Sequence, residues 1–328
     1  MRSLAGTLAA PFPYFGGKAL ACETVWGELG NPVNYVEPFA GSAAMLLGRP
    51  NPGKVETIND ADGFVANFWR AVSHAPDAVT HHADWPCIEA DLEARHAWLV
   101  NRSERLRWQL EDPDFYDAKV AGWWVWGACN WIGSGWCAGE GPHLTNGARL
   151  FDSRNLPHLS AGQGINRKLP HLGDAGKGEH PRSAYIREWM MKLAERLRDV
   201  RVTCGDWKRV VKDSVTTRHG LTGVFLDPPY TLGKMDYAAG GVGGELANAV
   251  REWCKQNGEN DLLRIVLCGH EHEHDELLQH GWHLRTWTAR KGYAVTDEAV
   301  ANSASETLWC SPHCVGRADT AQAALFAV

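Results

Sequence analysis

A carboxylate, two prolines and an aromatic residue directly follow Val224–Leu226, an apolar stretch with the pattern of a buried strand. In this Asp227-Pro228-Pro229-Tyr230 segment, each proline fixes its own φ and restricts the residue before it, which holds the backbone close to one conformation. The Asp227 carboxylate and the Pro228 carbonyl accept hydrogen bonds, and the Tyr230 ring offers a face for stacking. The segment therefore suits binding of a planar, amino-bearing group. The alternative is a strand-end turn with a solvated carboxylate.

Two glycine-containing segments near the N-terminus could bring the backbone close to a ligand. In the first, Gly16 and Gly17 precede Lys18, whose ammonium group adds a point charge; the alternative is a surface turn with a solvated lysine. In the second, Asn34–Leu47, a short β-like start leads through Gly41 into an Ala- and Leu-rich helix. The N–H groups at such a helix start can bind a carboxylate or a phosphate, although the segment lacks the spacing of the dinucleotide fingerprint.

Acidic residues end two further strand-like segments. Val55–Asp60 has the pattern of a strand that ends in a carboxylate, the position at which α/β nucleotide-binding folds hold ribose hydroxyls. Asp62 is expected instead to cap the amphipathic helix that follows. Val200–Trp207 resembles another strand, and its Asp206–Trp207 pair could bind an adenine, with the carboxylate on the amine and the ring against the base.

The remaining patterns predict the elements that position these groups. Helices are expected at 89–110, 116–129, 183–198, 245–254 and 273–279, and strands at 262–268, 284–287 and 307–310. Strands that alternate with helices predict an α/β fold with a mostly parallel sheet covered on both faces. Residues 76–182 interrupt the alternation with helices and a long loop-like region. We interpret them as an inserted domain, and residues 1–75 and 183–328 as the domain that it interrupts.

Composition excludes some classes of protein. A hydrophobic content of 44% and a charged content of 22% are ordinary for a globular protein, and no apolar run approaches the length of a membrane span. Nine cysteines without framework spacing favour reduced thiols in a cytoplasm, and we do not interpret the N-terminus as a signal peptide. The net charge of −6 argues against non-specific coating of nucleic acid but permits a local basic cleft.

The middle of the chain combines tryptophans with a basic, Gly-rich stretch. The sixteen tryptophans are concentrated between Trp85 and Trp136, and we expect most of them to be core. For Trp131 and Trp136 the pattern leaves open whether they are core or contact a ligand. A loop as long as the one after Trp136 is usually functional or disordered, and its arginines and lysines suit a phosphate backbone.

Taken in order, these segments resemble the Dam-like, alpha-group family of adenine-N6 DNA methyltransferases. The residues that carry the resemblance are Gly16–Lys18, Glu37–Gly41, Asp60, Asp206–Trp207 and Asp227–Tyr230. It covers roughly residues 11–75 and 183–310, and the middle of the chain only loosely, through residues 130–136. The chain departs from the family at Ser42 and Ala43, where a second glycine is frequent. At Pro13 the GATC-specific members carry a basic residue, so a GATC target is not implied.

The resemblance implies a Rossmann-like, mostly parallel sheet that binds S-adenosylmethionine, with an inserted, largely helical and loop-rich target-recognition domain. A target adenine would be flipped out of double-stranded DNA and methylated at N6 by direct displacement, with neither a metal nor a covalent enzyme intermediate. The base would be held by Asp227, Pro228, Pro229 and Tyr230. The cofactor would be bound by Tyr14, Lys18, Glu37, Phe39, Ala40, Gly41, Asp60, Asp206 and Trp207. DNA would be contacted by Asn130, Trp131, Arg149, Arg154, Arg167 and Lys168.

The implied setting is the nucleoid of a bacterial or phage-infected cell, with no obligatory protein partner and with restriction-modification among the possible roles. The same resemblance is compatible with three alternative functions: a cytosine-N4 enzyme, an enzyme acting on RNA, and a catalytically silent DNA-binding relative. Cytosine-N4 enzymes usually carry serine in place of Asp227, which therefore favours adenine. A fourth alternative, a metal-dependent hydrolase, is suggested by His270–His274 and by Cys310, His313 and Cys314. Since the first run lacks the HExxH order, we favour a polar loop there and predict no metal site.

Overall fold

The computed structural model describes residues 8–14, 18–86, 88–112, 114–131, 136–137, 182–229, 243–286 and 306–316. The chain divides into two compact units. The helical unit comprises Met1–Gly17 and Ala61–Gly205, and the sheet unit comprises Lys18–Asp60 and Asp206–Val328.

Among its described residues, the sheet unit contains six strands and three α-helices. The strands are β1 (Asn34–Glu37), β2 (Val55–Asp60), β4 (Thr222–Leu226), β5 (Leu263–His270), β6 (His283–Thr286) and β7 (Glu306–Cys310), while β3 (Val200–Cys204) belongs to the helical unit. The helices are α1 (Cys22–Leu29), α2 (Ala44–Leu47) and α9 (Gly243–Asn257). The strand order is β2-β1-β4-β5-β7-β6, in which β2, β1, β4 and β5 are parallel and β7 is antiparallel to both neighbours. The predicted α/β fold with a mostly parallel sheet is therefore confirmed.

Strand β4 lies in the middle of this sheet, and its five residues are all buried. Val224 and Leu226 pack into a hydrophobic cluster with residues of α9. Side chains alternate across a strand, so Gly223 faces the other way, where a Cβ would lie 3.5 Å from the Leu29 side chain of α1. Helices thus cover both faces of the sheet, as predicted, and glycine at 223 permits α1 to pack closely.

The order of the strands reverses between β1 and β4. These strands are parallel neighbours, with Asn34 opposite Thr222 and Val36 opposite Val224. The chain continues from β1 to β2 on one side and from β4 to β5 on the other. In open α/β sheets, the segments that leave such neighbours diverge and open a crevice at the carboxyl ends of the strands, where ligands bind. The crevice lies between the segments that follow Glu37 and Leu226.

The helical unit contains six α-helices among its described residues. They are α3 (Gly63–His74), α4 (Pro76–Ala83), α5 (Glu89–Val100), α6 (Ser103–Gln109), α7 (Ala118–Asn130) and α8 (Arg182–Leu197). The predicted cap of α3 is confirmed, because Asp62 Oδ1 accepts a 2.8 Å hydrogen bond from the Phe64 N–H. The expectation that most tryptophans are core is wrong for this unit, in which only Trp69, Trp124 and Trp126 are buried. The other tryptophans of the unit are half-buried or exposed: Trp85, Trp98, Trp108, Trp123, Trp131, Trp136 and Trp189.

Two predicted helices are wrong in their form. The helix expected at 89–110 is two helices, because the Ser103 hydroxyl donates to the Val100 carbonyl at 2.9 Å and competes with the helical bonding there. The helix expected at 273–279 is a 3₁₀ helix, Asp275–His280, that ends at Gly281 in the left-handed conformation.

The helical unit extends beyond the predicted insertion of residues 76–182 on both sides. The physical reason is that the helices flanking the predicted insertion pack against its helices: α3 packs against α4 and α7, and α8 packs against α4 and α3. No helix among the described residues combines the length and the apolar character that crossing a membrane requires.

Candidate active site

Asp227 directly follows β4, at the carboxyl edge of the sheet. Its side chain is 22% exposed, and Oδ1 lies 3.3 Å from Nζ of Lys18, which is only 4% exposed. Lys18 precedes a short 3₁₀ turn, in which its carbonyl accepts a hydrogen bond from the N–H of Ala21. Lys18 was predicted to face a cofactor. In the structure it forms an ion pair with Asp227, whose carboxylate was predicted to bind the target base. Pro228 is buried, Pro229 is half-buried, and Tyr230 lies outside the described residues.

The turn after β1 is tied to the end of β2 by three hydrogen bonds. Asn59 donates from Nδ2 to the Pro38 carbonyl at 3.0 Å, and its own carbonyl accepts from the Ala40 N–H at 2.9 Å. Gly41 donates its N–H to Asp60 Oδ2 at 2.8 Å and has φ of +46°, a conformation that favours glycine. Asp60, predicted to hold a ribose, therefore also orients the glycine turn. A carboxylate can accept further hydrogen bonds.

Ala43 completes this turn in a conformation that is uncommon for alanine. Its φ of +49° and ψ of +34° are left-handed, and its side chain is buried. This residue belongs to the Ser42–Ala43 pair that stands where the family pattern frequently has glycine. Helix α2 begins immediately after it, so the left-handed residue sets the direction in which the first N–H groups of α2 point.

Glu37, predicted to bind the cofactor, is inside the sheet unit and only 2% exposed. Its Oε2 accepts hydrogen bonds of 3.1 Å from the Tyr35 hydroxyl and from the Leu46 N–H at the start of α2. Burial, with a smaller contribution from the neighbouring charge of Asp227, raises the pKa of Glu37 to about 8 despite those two hydrogen bonds, which lower it. Through these hydrogen bonds Glu37 fixes α2 against β1.

We expect Glu37→Gln to remove part of the pH dependence of stability. The pKa of Glu37 is raised in the folded state, so its contribution is fully present below about 4.5 and is lost as pH rises towards about 8. Between pH 5.5 and 8.5 the free energy of unfolding of the native protein should fall by about 3 kcal/mol more than that of the variant. Urea unfolding of both proteins at the two pH values measures this difference.

Glu23→Gln is the matched control, because Glu23 is an exposed acid of α1. It should leave the pH dependence as it is in the native protein. An equal fall in stability for Glu37→Gln and the native protein would show that Glu37 does not bind its proton more tightly in the folded state.

Two aromatic rings lie beside the turn after β1. The ring of Trp207 is buried, with its centroid 6.0 Å from Phe39 and 6.3 Å from Trp253. Asp206 is exposed and caps the 3₁₀ turn Trp207–Arg209, where its Oδ1 accepts from the Lys208 N–H at 2.8 Å. Ala40, the neighbour of Phe39, is buried. Of the residues predicted to bind the cofactor, all except Tyr14 lie in the sheet unit.

The other predicted site residues that the structure describes lie in the helical unit. The ring of Tyr14, which is half-buried, lies 6.3 Å from that of Phe12. Asn130 is fully buried and donates from Nδ2 to the Trp126 carbonyl, and Trp131 stacks on the buried His96 ring at 4.7 Å. Their roles in cofactor and DNA binding stay predictions. The remaining predicted DNA contacts, Arg149, Arg154, Arg167 and Lys168, lie outside the described residues.

The helical unit also contains a cavity of about 450 Å³ that the sequence analysis missed. Its lining residues are His81, His82, Trp85, Asp91, Ala94, Arg95, Trp98, Lys119 and Trp123. The sequence contains a pattern that could have predicted this cavity: basic residues lie three or four positions before tryptophans, at helical spacing. These pairs are Arg95 with Trp98 on α5 and Lys119 with Trp123 on α7.

The cavity combines aromatic faces with positive charge. The buried Arg95 guanidinium lies 4.8 Å from the Trp123 ring centroid, and Lys119 Nζ lies 4.4 Å from the same ring. Burial lowers the pKa of His82, and the charges of His81 and Lys119 lower it further. A site with stacking surfaces and cations suits an anionic ligand with a planar ring, such as a nucleotide.

Within the part of the chain that the structure describes, the histidine run that suggested a metal does not form a group of ligands. His270 ends β5, His272 contacts Asp275 at 2.7 Å, and His274 packs against the Trp309 ring at 5.0 Å. The residues that do converge at the carboxyl edge are the acids and the glycine turn after β1, β2 and β4.

Among known proteins, no family model and no curated sequence matches this chain.

Proposed function

We propose that the protein is an S-adenosylmethionine-dependent DNA methyltransferase that modifies the exocyclic N6 amine of adenine. One observation carries the proposal: Asp60, the Gly41 turn and Asp227 follow the carboxyl ends of the adjacent parallel strands β2, β1 and β4. This is the point where the strand order reverses and where α/β folds bind their ligands. The resemblance of the same residues to the Dam-like family supports the choice of reaction.

The donor set at this edge fits the proposed cofactor. The Asp60 carboxylate would accept hydrogen bonds from ribose hydroxyls, and Asp206 from the adenine amine, in addition to the Gly41 and Lys208 N–H groups that they already bind. Phe39 lies next to Trp207 and offers partly exposed aromatic surface for the base. Bound there, S-adenosylmethionine would supply a methyl group attached to a positively charged sulfur.

Asp227 would prepare the amine of the target adenine. An exocyclic amine is a poor nucleophile because its lone pair is delocalised into the ring. When Asp227 and the Pro228 carbonyl accept hydrogen bonds from its two N–H groups, the nitrogen becomes more pyramidal. Its lone pair is then available to attack the methyl group. Lys18 Nζ, 3.3 Å from Oδ1, fixes the carboxylate before the base arrives, so little reorganisation is needed during the reaction.

The helical unit would recognise the DNA, as a target-recognition domain, and its cationic, tryptophan-lined cavity would contribute to binding. Nucleotides bind such surfaces through stacking of the base and neutralisation of the phosphate. The proposal places the protein at the nucleoid of a bacterial or phage-infected cell.

Lys119→Gln is expected to weaken binding of DNA to the full-length protein, because it removes one exposed cation from the rim of the cavity. The dependence of log K on log[salt] should become less steep by about 0.9, the loss of one phosphate contact. Fluorescence anisotropy with a labelled duplex at several salt concentrations measures both effects.

The control for this variant is Lys192→Gln, which removes an exposed cation from α8 of the same unit. Lys192 lies outside the residues that line the cavity, so its loss should change affinity far less. If both substitutions weaken binding equally, the cavity does not contribute to the contact with DNA.

Expression in a host without adenine methylation tests the proposed reaction. Modification-sensitive sequencing of the host DNA should find N6-methyladenine in one sequence context when the native protein is expressed. Expression of Asp227→Asn should leave the DNA unmodified. Modified cytosine, or methylation confined to RNA, would replace the proposal with one of the two alternative acceptors.

A further inference from the structure

A cluster of metal-ligating side chains lies in the sheet unit, on the side of the sheet that α1 covers. Ligand atoms of Glu28, His283 and Cys310 all lie within 4.8 Å of one another, and among the described residues this is the one such group. The three residues come from α1, β6 and β7, so only the folded chain brings them together.

Backbone pairing fixes the positions of two of these side chains. His283 and Cys310 are directly opposite in the antiparallel pairing of β6 with β7, which puts their side chains on the same face of the sheet. Glu28 is held over that face because its carbonyl accepts a 2.8 Å hydrogen bond from the Val315 N–H. A Cβ at position 316 would clash with the Glu28 carboxylate, so Gly316 permits the close approach.

A second thiol, Cys314, lies beside this group without belonging to it, and its Sγ is 3.5 Å from the Ile265 carbonyl. Cys314 is buried, its thiol hydrogen-bonds with that of Cys310, and its Sγ lies 3.6 Å from the Ser311 hydroxyl. A carboxylate, an imidazole and two thiols suit zinc, whereas calcium and magnesium take oxygen ligands. Tetrahedral zinc needs its donor atoms about 3.3–3.8 Å apart, so zinc binding would draw the Glu28, His283 and Cys310 ligand atoms closer together and would turn the Cys314 thiol towards them as the fourth ligand.

The charges around the cluster also suit a divalent cation. Arg285 contacts Oε1 of Glu28 through its Nε, and His283 Nε2 lies 3.0 Å from Oε2. Zinc and the Arg285 guanidinium together offset the Glu28 carboxylate and two thiolates, which leaves no net buried charge. The Arg285 contact would fix the orientation of the carboxylate, as hydrogen-bond partners of zinc ligands do.

We propose that Glu28, His283, Cys310 and Cys314 bind one structural zinc ion that joins α1 to the β6–β7 edge of the sheet. The site is remote from the proposed reaction, because Cys310 pairs with Val266, four residues before the end of β5 at His270. That separation along the strand is about 13 Å. The proposal is therefore independent of the methyltransferase assignment.

The sequence signal for this site is incomplete. Cys310, His313 and Cys314 are close in sequence, but His313 Nε2 lies 3.0 Å from the Glu259 carbonyl and is not part of the cluster. His313 is therefore the matched control for His283, and the buried Cys254 of α9 is the control for Cys310.

The test is the metal content of the full-length protein after expression with zinc supplied. Elemental analysis should find about one zinc per chain in the native protein and in His313→Ala and Cys254→Ala. It should find almost none in His283→Ala and Cys310→Ser. Metal-free native protein should show a thiolate-to-cobalt charge-transfer band on addition of cobalt(II), and a higher melting temperature on addition of zinc.

The measurements on the native protein test the proposal even if the variants fail to fold. Substoichiometric zinc, no charge-transfer band and an unchanged melting temperature would overturn the proposal. A disulfide between Cys310 and Cys314 in freshly purified protein, detected by mass spectrometry, would overturn it as well, because both thiolates are required as ligands. Zinc bound equally by the His283→Ala variant would exclude the proposed ligand set.

Discussion

Replacing Asp227 by asparagine is expected to lower the rate of methyl transfer to DNA by about 10²- to 10³-fold, the effect typical of removing one preorganised polar group from an active site. The amide keeps the size of the side chain and one acceptor oxygen, but its NH₂ group would face the amine of the target base. The dissociation constant for S-adenosylmethionine should change much less, because Asp227 is assigned to the target base. Single-turnover transfer of a labelled methyl group and calorimetric cofactor binding measure the two effects.

Asp261→Asn is the matched control for this prediction. Asp261 is exposed and lies just before β5, at the opposite edge of the same sheet. Its variant should transfer methyl groups at the native rate. Since Asp227 is paired with the buried Lys18, the melting temperature of each variant must accompany the rate. A folded Asp227→Asn protein with native activity would remove Asp227 from the mechanism.

The largest expected effect on stability comes from Glu56→Gln. Glu56 on β2 forms a buried ion pair with Arg49, in which Oε1 lies 3.0 Å from Nη1 and the side chains are 4% and 1% exposed. The Arg49 guanidinium also lies 5.0 Å from the Trp26 ring centroid. Without the carboxylate, a buried positive charge is left uncompensated, and the free energy of unfolding should fall by about 3–5 kcal/mol. Urea unfolding at neutral pH measures the loss.

Glu252→Gln removes one partner of a surface ion pair in the same unit and is the control. Glu252 is 56% exposed, lies 2.8 Å from Lys255 on α9, and should cost less than about 1 kcal/mol. The double variant Arg49→Met/Glu56→Leu, which removes both buried charges, should recover most of the stability lost in Glu56→Gln. Similar small losses for the buried and surface pairs would contradict this account.

Local sequence patterns predicted the elements that carry the candidate site. Strand β2 has the predicted bounds Val55–Asp60, and β1 begins at Asn34 as expected. Asp62 caps α3 as its position before an amphipathic helix indicated. These features depend on hydrophobic periodicity and on hydrogen bonds between near neighbours, both of which are visible in the sequence.

The features that the sequence did not predict depend on contacts between distant residues. The ion pair of Lys18 with Asp227 and the group formed by Glu28, His283 and Cys310 require strands and helices from both ends of the sheet unit. Glu37 could not be distinguished from a ligand-binding acid, because its burial follows from α2 packing over β1. The cation–tryptophan cavity went unrecognised because α4, part of its wall, was not predicted as a helix.

The most direct test of the central claim uses purified native protein, S-adenosylmethionine with a labelled methyl group, and genomic DNA free of adenine methylation. After digestion of the DNA to nucleosides, the label is expected to elute with N6-methyldeoxyadenosine. Label in a modified deoxycytidine, or no label in the DNA while the protein is folded and binds the cofactor, would contradict it.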